Sequence, residues 1–143
     1  MVWAVESELQ QNYLLPRDCP RVCFSALPTS TPVDVERLVG ATVARAVIAI
    51  ETRWLPLVQQ ARLYRYELPA ETFARVDEAA AYHISRETVV PRAVAQIDDL
   101  LAALLACDVE LRVTPSLWPL CDAVVGSSLR FSCIRMRNAG PRL

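Results

Sequence analysis

No lysine occurs in this chain: all fifteen of its basic residues are arginine. That absence removes a Schiff-base nucleophile and the phosphate-cradling lysine of a P-loop. His83 is the only histidine, which rules out a histidine-rich metal site within one chain. The three glycines, Gly40, Gly126 and Gly140, stand too far apart for a G-x-G-x-x-G phosphate loop. No apolar run reaches the roughly 18 residues of a membrane span, and the longest, Ala41 to Ile50, is interrupted by Arg45. The opening Met1-Val2-Trp3-Ala4-Val5-Glu6 has neither the basic start nor the long apolar stretch of a secretory leader. These absences predict a soluble cytoplasmic protein.

What is present is apolar. Hydrophobic residues make up 53% of the 143, above the roughly 45–50% of an average soluble domain. The length suits one domain over residues 1–143, with a core that needs no metal or disulfide staple. The apolar surplus points to a homodimer interface. A net charge of −1 argues against nucleic-acid binding, which needs a basic field. Five cysteines, an odd number, include one close pair, Cys19-x-x-x-Cys23. That pair encloses Pro20, and Cys23 sits in the apolar run Val22-Cys23-Phe24, so the cysteines read as reduced and structural, and no metal is expected.

Strands are expected at Val2 to Val5, Arg21 to Leu27, Arg45 to Ile50 and the alternating Leu63 to Leu68, then at Ala81 to Arg86, Val89 to Ile97, Glu110 to Val113 and Leu129 to Arg137. Pro91 implies an edge or a bulge. Thr31-Pro32-Val33-Asp34-Val35-Glu36 has the cap, the proline and the acidic first turn of a helix start, and Gly40 stops that helix. Helices are also expected at Glu51 to Gln60, with Trp54, Leu57 and Val58 inward, and at Glu71 to Ala80. A further one runs from Asp98 to Cys107, with Leu100, Leu101, Leu104 and Leu105 in one stripe, and another ends near Gly126. Mixed elements without a βαβ rhythm predict an α+β fold with a largely antiparallel or mixed sheet and several short helices. A chain opening directly in an apolar strand implies either a well-anchored edge strand or a native product that begins upstream.

Few residues carry candidate chemistry. Glu87, beside Ser85 and Arg86 at a strand end, can hydrogen-bond a ribose or polarise a nucleophile, or serve as a solvated turn residue. Arg17, held between two prolines, can clamp a phosphate or pair with Asp18. His83 reads as a structural or surface residue, and no G-x-S-x-G elbow supports a serine nucleophile.

Three blocks carry a resemblance: Tyr13-Leu14-Leu15-Pro16-Arg17-Asp18-Cys19-Pro20-Arg21-Val22, Leu63-Tyr64-Arg65-Tyr66-Glu67-Leu68-Pro69, and Leu111 to Asn138. Together they resemble a bacterial family known only as a domain of unknown function, over nearly the whole chain. More distantly, the order of elements is similar to the ADP-ribosyltransferase-type fold. In that fold one strand carries a histidine or arginine for the NAD ribose, a second an aromatic or small hydroxyl residue, and a late strand the glutamate. Val2 to Val5 with Tyr13 is similar to the second block, and Tyr82 to Pro91, with Glu87, to the third. The first block is absent from this chain, so the usual NAD route of that fold is incomplete here. The resemblance implies a small nucleotide ligand, NAD among them: Trp3 and Tyr13 stack on a ring, Arg17 contacts phosphate, Ser85 lies by the ribose, and Glu87 stabilises an oxocarbenium-like ribose. The rival expectations are a non-catalytic interaction module or homodimeric structural protein, and a nucleotide sensor that shares the pocket but lacks catalysis.

Overall fold

The computed structural model describes residues 1–78 and 80–142. Its centre is a four-stranded sheet ordered β8-β3-β2-β9. β2 is Arg21–Ser25, β3 Ala46–Glu51, β8 Val109–Thr114 and β9 Arg130–Ile134. β2 pairs antiparallel with β3 and with β9, while β3 and β8 run parallel. All six residues of β3 are buried, because both faces of the sheet are covered. This is why the segment reads as an unbroken β-branched run rather than an alternating one.

Alternation still sorts its side chains. Ile48 and Ile50 join Cys23, Leu15 and Val58 under α2 (Leu55–Gln60) and α3 (Leu100–Ala106). Val47 and Ala49 point the other way, into Val22, Phe24 and Leu38 beneath α4 (Trp118–Val125). The helical turn leading to Leu38 starts at α1 (Pro32–Asp34), where Thr31 caps the amide of Asp34 as expected, and continues as a wider turn over Val35–Val39. It stops at Gly40, whose φ of 73° is a left-handed conformation that a side chain resists. Asp99 caps α3 by accepting from the amide of Ala102 at 3.0 Å.

Two smaller sheets flank this core. β1 (Val2–Val5), β6 (Tyr82–Ser85) and β5 (Ala74–Asp77) form an antiparallel sheet in the order β1-β6-β5, and β4 (Leu63–Glu67) pairs with β7 (Ala93–Ile97). β1 is an edge strand, tied down along its length by β6. The α+β expectation holds: strands outnumber helices, pairings are mostly antiparallel, and the helices are short. Among the described residues no helix is long and apolar enough to cross a membrane.

Four local expectations are corrected. Glu71 to Ala80 is not a helix: Ala74–Asp77 is a strand, its Arg75 opposite His83, with a bulge before Asp77. Pairing with β6 overrides the weak helical preference there; Ala79 lies outside the described residues. Leu105 is 74% exposed, because α3 buries the face centred on Leu100 and Leu104, and Leu105 sits about 140° round from Leu100. Leu57 is likewise half exposed, one step of about 100° from the buried Val58. Pro91 falls in the connection between β6 and β7, neither at an edge nor in a bulge, and those two strands join different sheets.

Candidate functional site

Between the β1-β6-β5 sheet and the segment around β4 and β7 lies an open cleft of about 1280 Å³. Aromatic rings dominate its wall. In the antiparallel register Val5 faces Tyr82 and Trp3 faces Ile84, so Trp3 and Tyr82 are diagonal neighbours on one face of the sheet. Their rings meet edge to face, with centroids 6.1 Å apart and planes at 89°. Tyr13, from the 3-10 turn Ser7–Tyr13, tilts against Tyr82 at 6.0 Å and hydrogen-bonds it hydroxyl to hydroxyl. Burial, reinforced by the Tyr82 hydroxyl, pushes the Tyr13 phenol above its ordinary pKa, so it stays protonated. Trp3 is 61% exposed and offers its ring to the cleft.

The other face of the same sheet carries charge. His83 lies between Ala4 of β1 and Arg75 of β5. Glu6, just past the end of β1, accepts hydrogen bonds from His83 Nε2 at 2.7 Å and from Arg75 at 2.5 Å. Those bonds, the imidazole's first and the guanidinium's second, hold the Glu6 carboxyl below its usual range. An ionised carboxylate can only accept, so Nε2 must carry the proton it shares. Among the described residues the other ring nitrogen, Nδ1, has no protein partner. Tyr66, Arg65 and Arg92 complete the opposite wall. Arg92 is engaged by Glu71 at 2.7 Å, whereas Arg65 is exposed with no ion pair among the described residues.

Of the five residues singled out in the sequence, Trp3 and Tyr13 line this cleft and the other three stand outside its lining. Arg17 is exposed on the Pro16–Pro20 turn. Ser85 is buried, its hydroxyl shared with Thr72 at 2.9 Å and with the amide of Glu87 at 3.2 Å, so it closes the end of β6. Glu87 is exposed on the same connection, two residues before Val89, which does line the cleft.

Two buried charged groups had no sequence signal of their own. Arg21, 2% exposed, donates to the carbonyls of Cys19 (2.9 Å), Asn12 (2.9 Å) and Pro16 (2.7 Å), and more weakly to Arg17 (3.3 Å). It is the framework around which the turn carrying Arg17 is folded. Glu51, 1% exposed at the end of β3, accepts from the amides of Leu117 (3.2 Å) and Gly140 (2.9 Å). His83 was visible in the sequence, but its partner Glu6 lies 77 residues away.

A family model described as "Family of unknown function (DUF6886)" matches residues 1–139. The chain belongs to that family. No curated protein and no solved structure matches this DUF6886 member. The family spans the aromatic cleft, the buried arginine turn and the central sheet alike.

Proposed function

We propose that this DUF6886 protein binds a small nucleotide-class ligand, with NAD or ADP-ribose the leading candidates, in the cleft between β1-β6-β5 and β4-β7. The observation that carries this reading is the grouping of Trp3, Tyr13 and Tyr82 in a cleft whose opposite wall carries Arg65, which has no ion pair among the described residues. Exposed aromatic faces hold nucleobases by stacking at roughly 1–3 kcal/mol per base. A guanidinium without an internal partner suits phosphate. The volume, about 1280 Å³, exceeds the roughly 300–1,000 Å³ of sites for compact ligands and has room for a two-part molecule. The distant likeness to ADP-ribosyltransferases adds a stronger version, in which Glu87 reaches over the rim to a ribose. Because Glu87 and Arg17 stand outside the lining, binding is the better supported half of that pair. Five free thiols suit a reducing cytoplasm, and a bacterial source follows from the resemblance alone.

Isothermal titration with NAD, ADP-ribose and AMP is the test. Saturable binding that weakens about tenfold in Trp3→Ala is expected. Silence from all three ligands would sink the reading.

A second reading, an interaction module, draws on β4 and β7. Tyr64, Tyr66 and Val94 share one face there by register and are each slightly more than half exposed. Light scattering at increasing concentration reads it directly: a mass of twice 16.0 kDa supports homodimer formation, and a constant monomer removes it.

A further inference from the structure

The sequence draws the eye to Cys19 and Cys23, yet the fold brings a different pair into contact. Cys121, on α4, and Cys133, on β9, lie with their Sγ atoms 3.2 Å apart although 12 residues separate them in the chain. A disulfide needs about 2.05 Å, so closing the bond asks for a sulfur displacement of roughly 1 Å. Cys19 and Cys23 instead face the interior of the first core cluster, their thiols pushed up by burial to about 11 and about 12. Cys107, at the end of α3, has no sulfur neighbour among the described residues.

We propose that Cys121 and Cys133 are a disulfide-forming pair, closed by a small-molecule disulfide such as oxidised glutathione. One protein thiol loses its proton, and its thiolate attacks a glutathione sulfur. The glutathione S–S bond breaks and the first glutathione thiolate leaves. The second protein thiolate then attacks the protein-bound sulfur of the mixed disulfide and expels the second glutathione. Two protein thiols are oxidised to one S–S bond, one glutathione disulfide is reduced to two thiols, and two protons pass to them through solvent.

The surroundings define what the bond does. Cys133 is partly buried, and burial together with the adjoining thiol raises its pKa. α4 also anchors the C-terminal segment: Trp118 donates to the carbonyl of Gly140 at 2.6 Å, and Asp122 pairs with Arg142 at 2.7 Å. A bridge from Cys121 to β9 fastens helix and tail to the sheet in one step. Neither α4 nor β9 contributes to the cleft lining, so the bond acts on stability and leaves ligand binding unchanged.

The experiment is incubation of the full chain with millimolar oxidised glutathione, followed by thiol counting, peptide mapping without reductant and a melting curve. The free-thiol count should fall from five to three, with a single cross-linked peptide joining Cys121 to Cys133. The melting temperature should rise by roughly 5–10 °C and return on reduction. Cys133→Ala should lose the cross-link, whereas Cys107→Ala should keep it. A count that stays at five, or a bond that joins any other pair, overturns the proposal.

Discussion

β3 and β5 are strands of the same molecule with opposite fates: every residue of β3 is buried, and every residue of β5 is exposed. β3 lies between two covering layers, so its contribution is measured in apolar area removed from water. β5 lies at the edge of a thin sheet, and what it contributes is a side chain, Arg75, delivered to Glu6. The contrast separates two jobs. The central sheet and its two clusters hold the chain together, and the thin outer strands shape the cleft. Substitutions in the first region should change stability with little effect on ligand, and those in the second the reverse.

The sharpest test falls on the central strand. Ile48 is 0% exposed in the first core cluster, so Ile48→Ala should cost about 3–4 kcal/mol in urea denaturation. A loss below about 1 kcal/mol would mean that β3 is not the centre of the core.

Next comes Arg21→Met. This keeps the length of the buried stem but leaves the carbonyls of Asn12, Pro16 and Cys19 without their donor. A cost of about 2–3 kcal/mol is expected. Increased proteolysis in the 12–19 turn should accompany it, and an unchanged digestion pattern would argue that the turn holds itself.

Smaller in stability but larger in binding is Trp3→Ala. The ring is mostly exposed, so the melting curve should barely move, while affinity for a nucleotide should fall about tenfold. Equal losses in both readouts would erase the division between the two regions.

The smallest effect concerns acid. The Ser128 hydroxyl, at 2.6 Å, and its amide, at 2.8 Å, hold the Asp34 carboxyl below its usual value of 3.8. The folded pKa lies under the unfolded one. The stabilisation is therefore complete above about pH 4 and is lost as pH falls through the folded value. Ser128→Ala should flatten the acid limb of the stability profile by lowering the neutral plateau slightly, with stability below the folded pKa little changed. An acid limb unchanged in that variant would show that Ser128 does not set the Asp34 proton affinity.

Much of the core was legible because its signals are local. The unbroken apolar run of β3, the caps at Thr31 and Asp99, and the stop at Gly40 each depend on residues within one turn of one another. The cleft was not, because its chemistry comes from register. Trp3 meets Tyr82 and Glu6 meets His83 only after β1 has paired with β6 across some eighty residues of chain, and nothing near either end specifies that pairing. The same limit explains the arginines. Arg17 and Arg21 stand four residues apart with similar neighbours, and burial, which the sequence does not print, makes one a solvent-facing side chain and the other a framework. The cysteines repeat the pattern: proximity in the chain favoured Cys19 and Cys23, and proximity in space favours Cys121 and Cys133.

The buried guanidinium of Arg21 also ties the two regions mechanically. It begins β2 at the heart of the sheet, and its Nη1 grips the carbonyl of Asn12, the residue next to Tyr13 of the cleft wall. A ligand that displaced Tyr13 would have to pull against the central sheet through that side chain and through the buried Leu14 and Leu15 that follow Tyr13. Tyr13 is thereby linked to the central sheet, whereas Trp3 stands on an edge strand held by β6 alone and is mostly exposed. Lysine, with one compact ammonium in place of a planar fork, could not span three carbonyls set around it. In a chain that uses arginine for every cation, this is one of the positions, with Arg45 and Arg112, where that choice is a matter of shape.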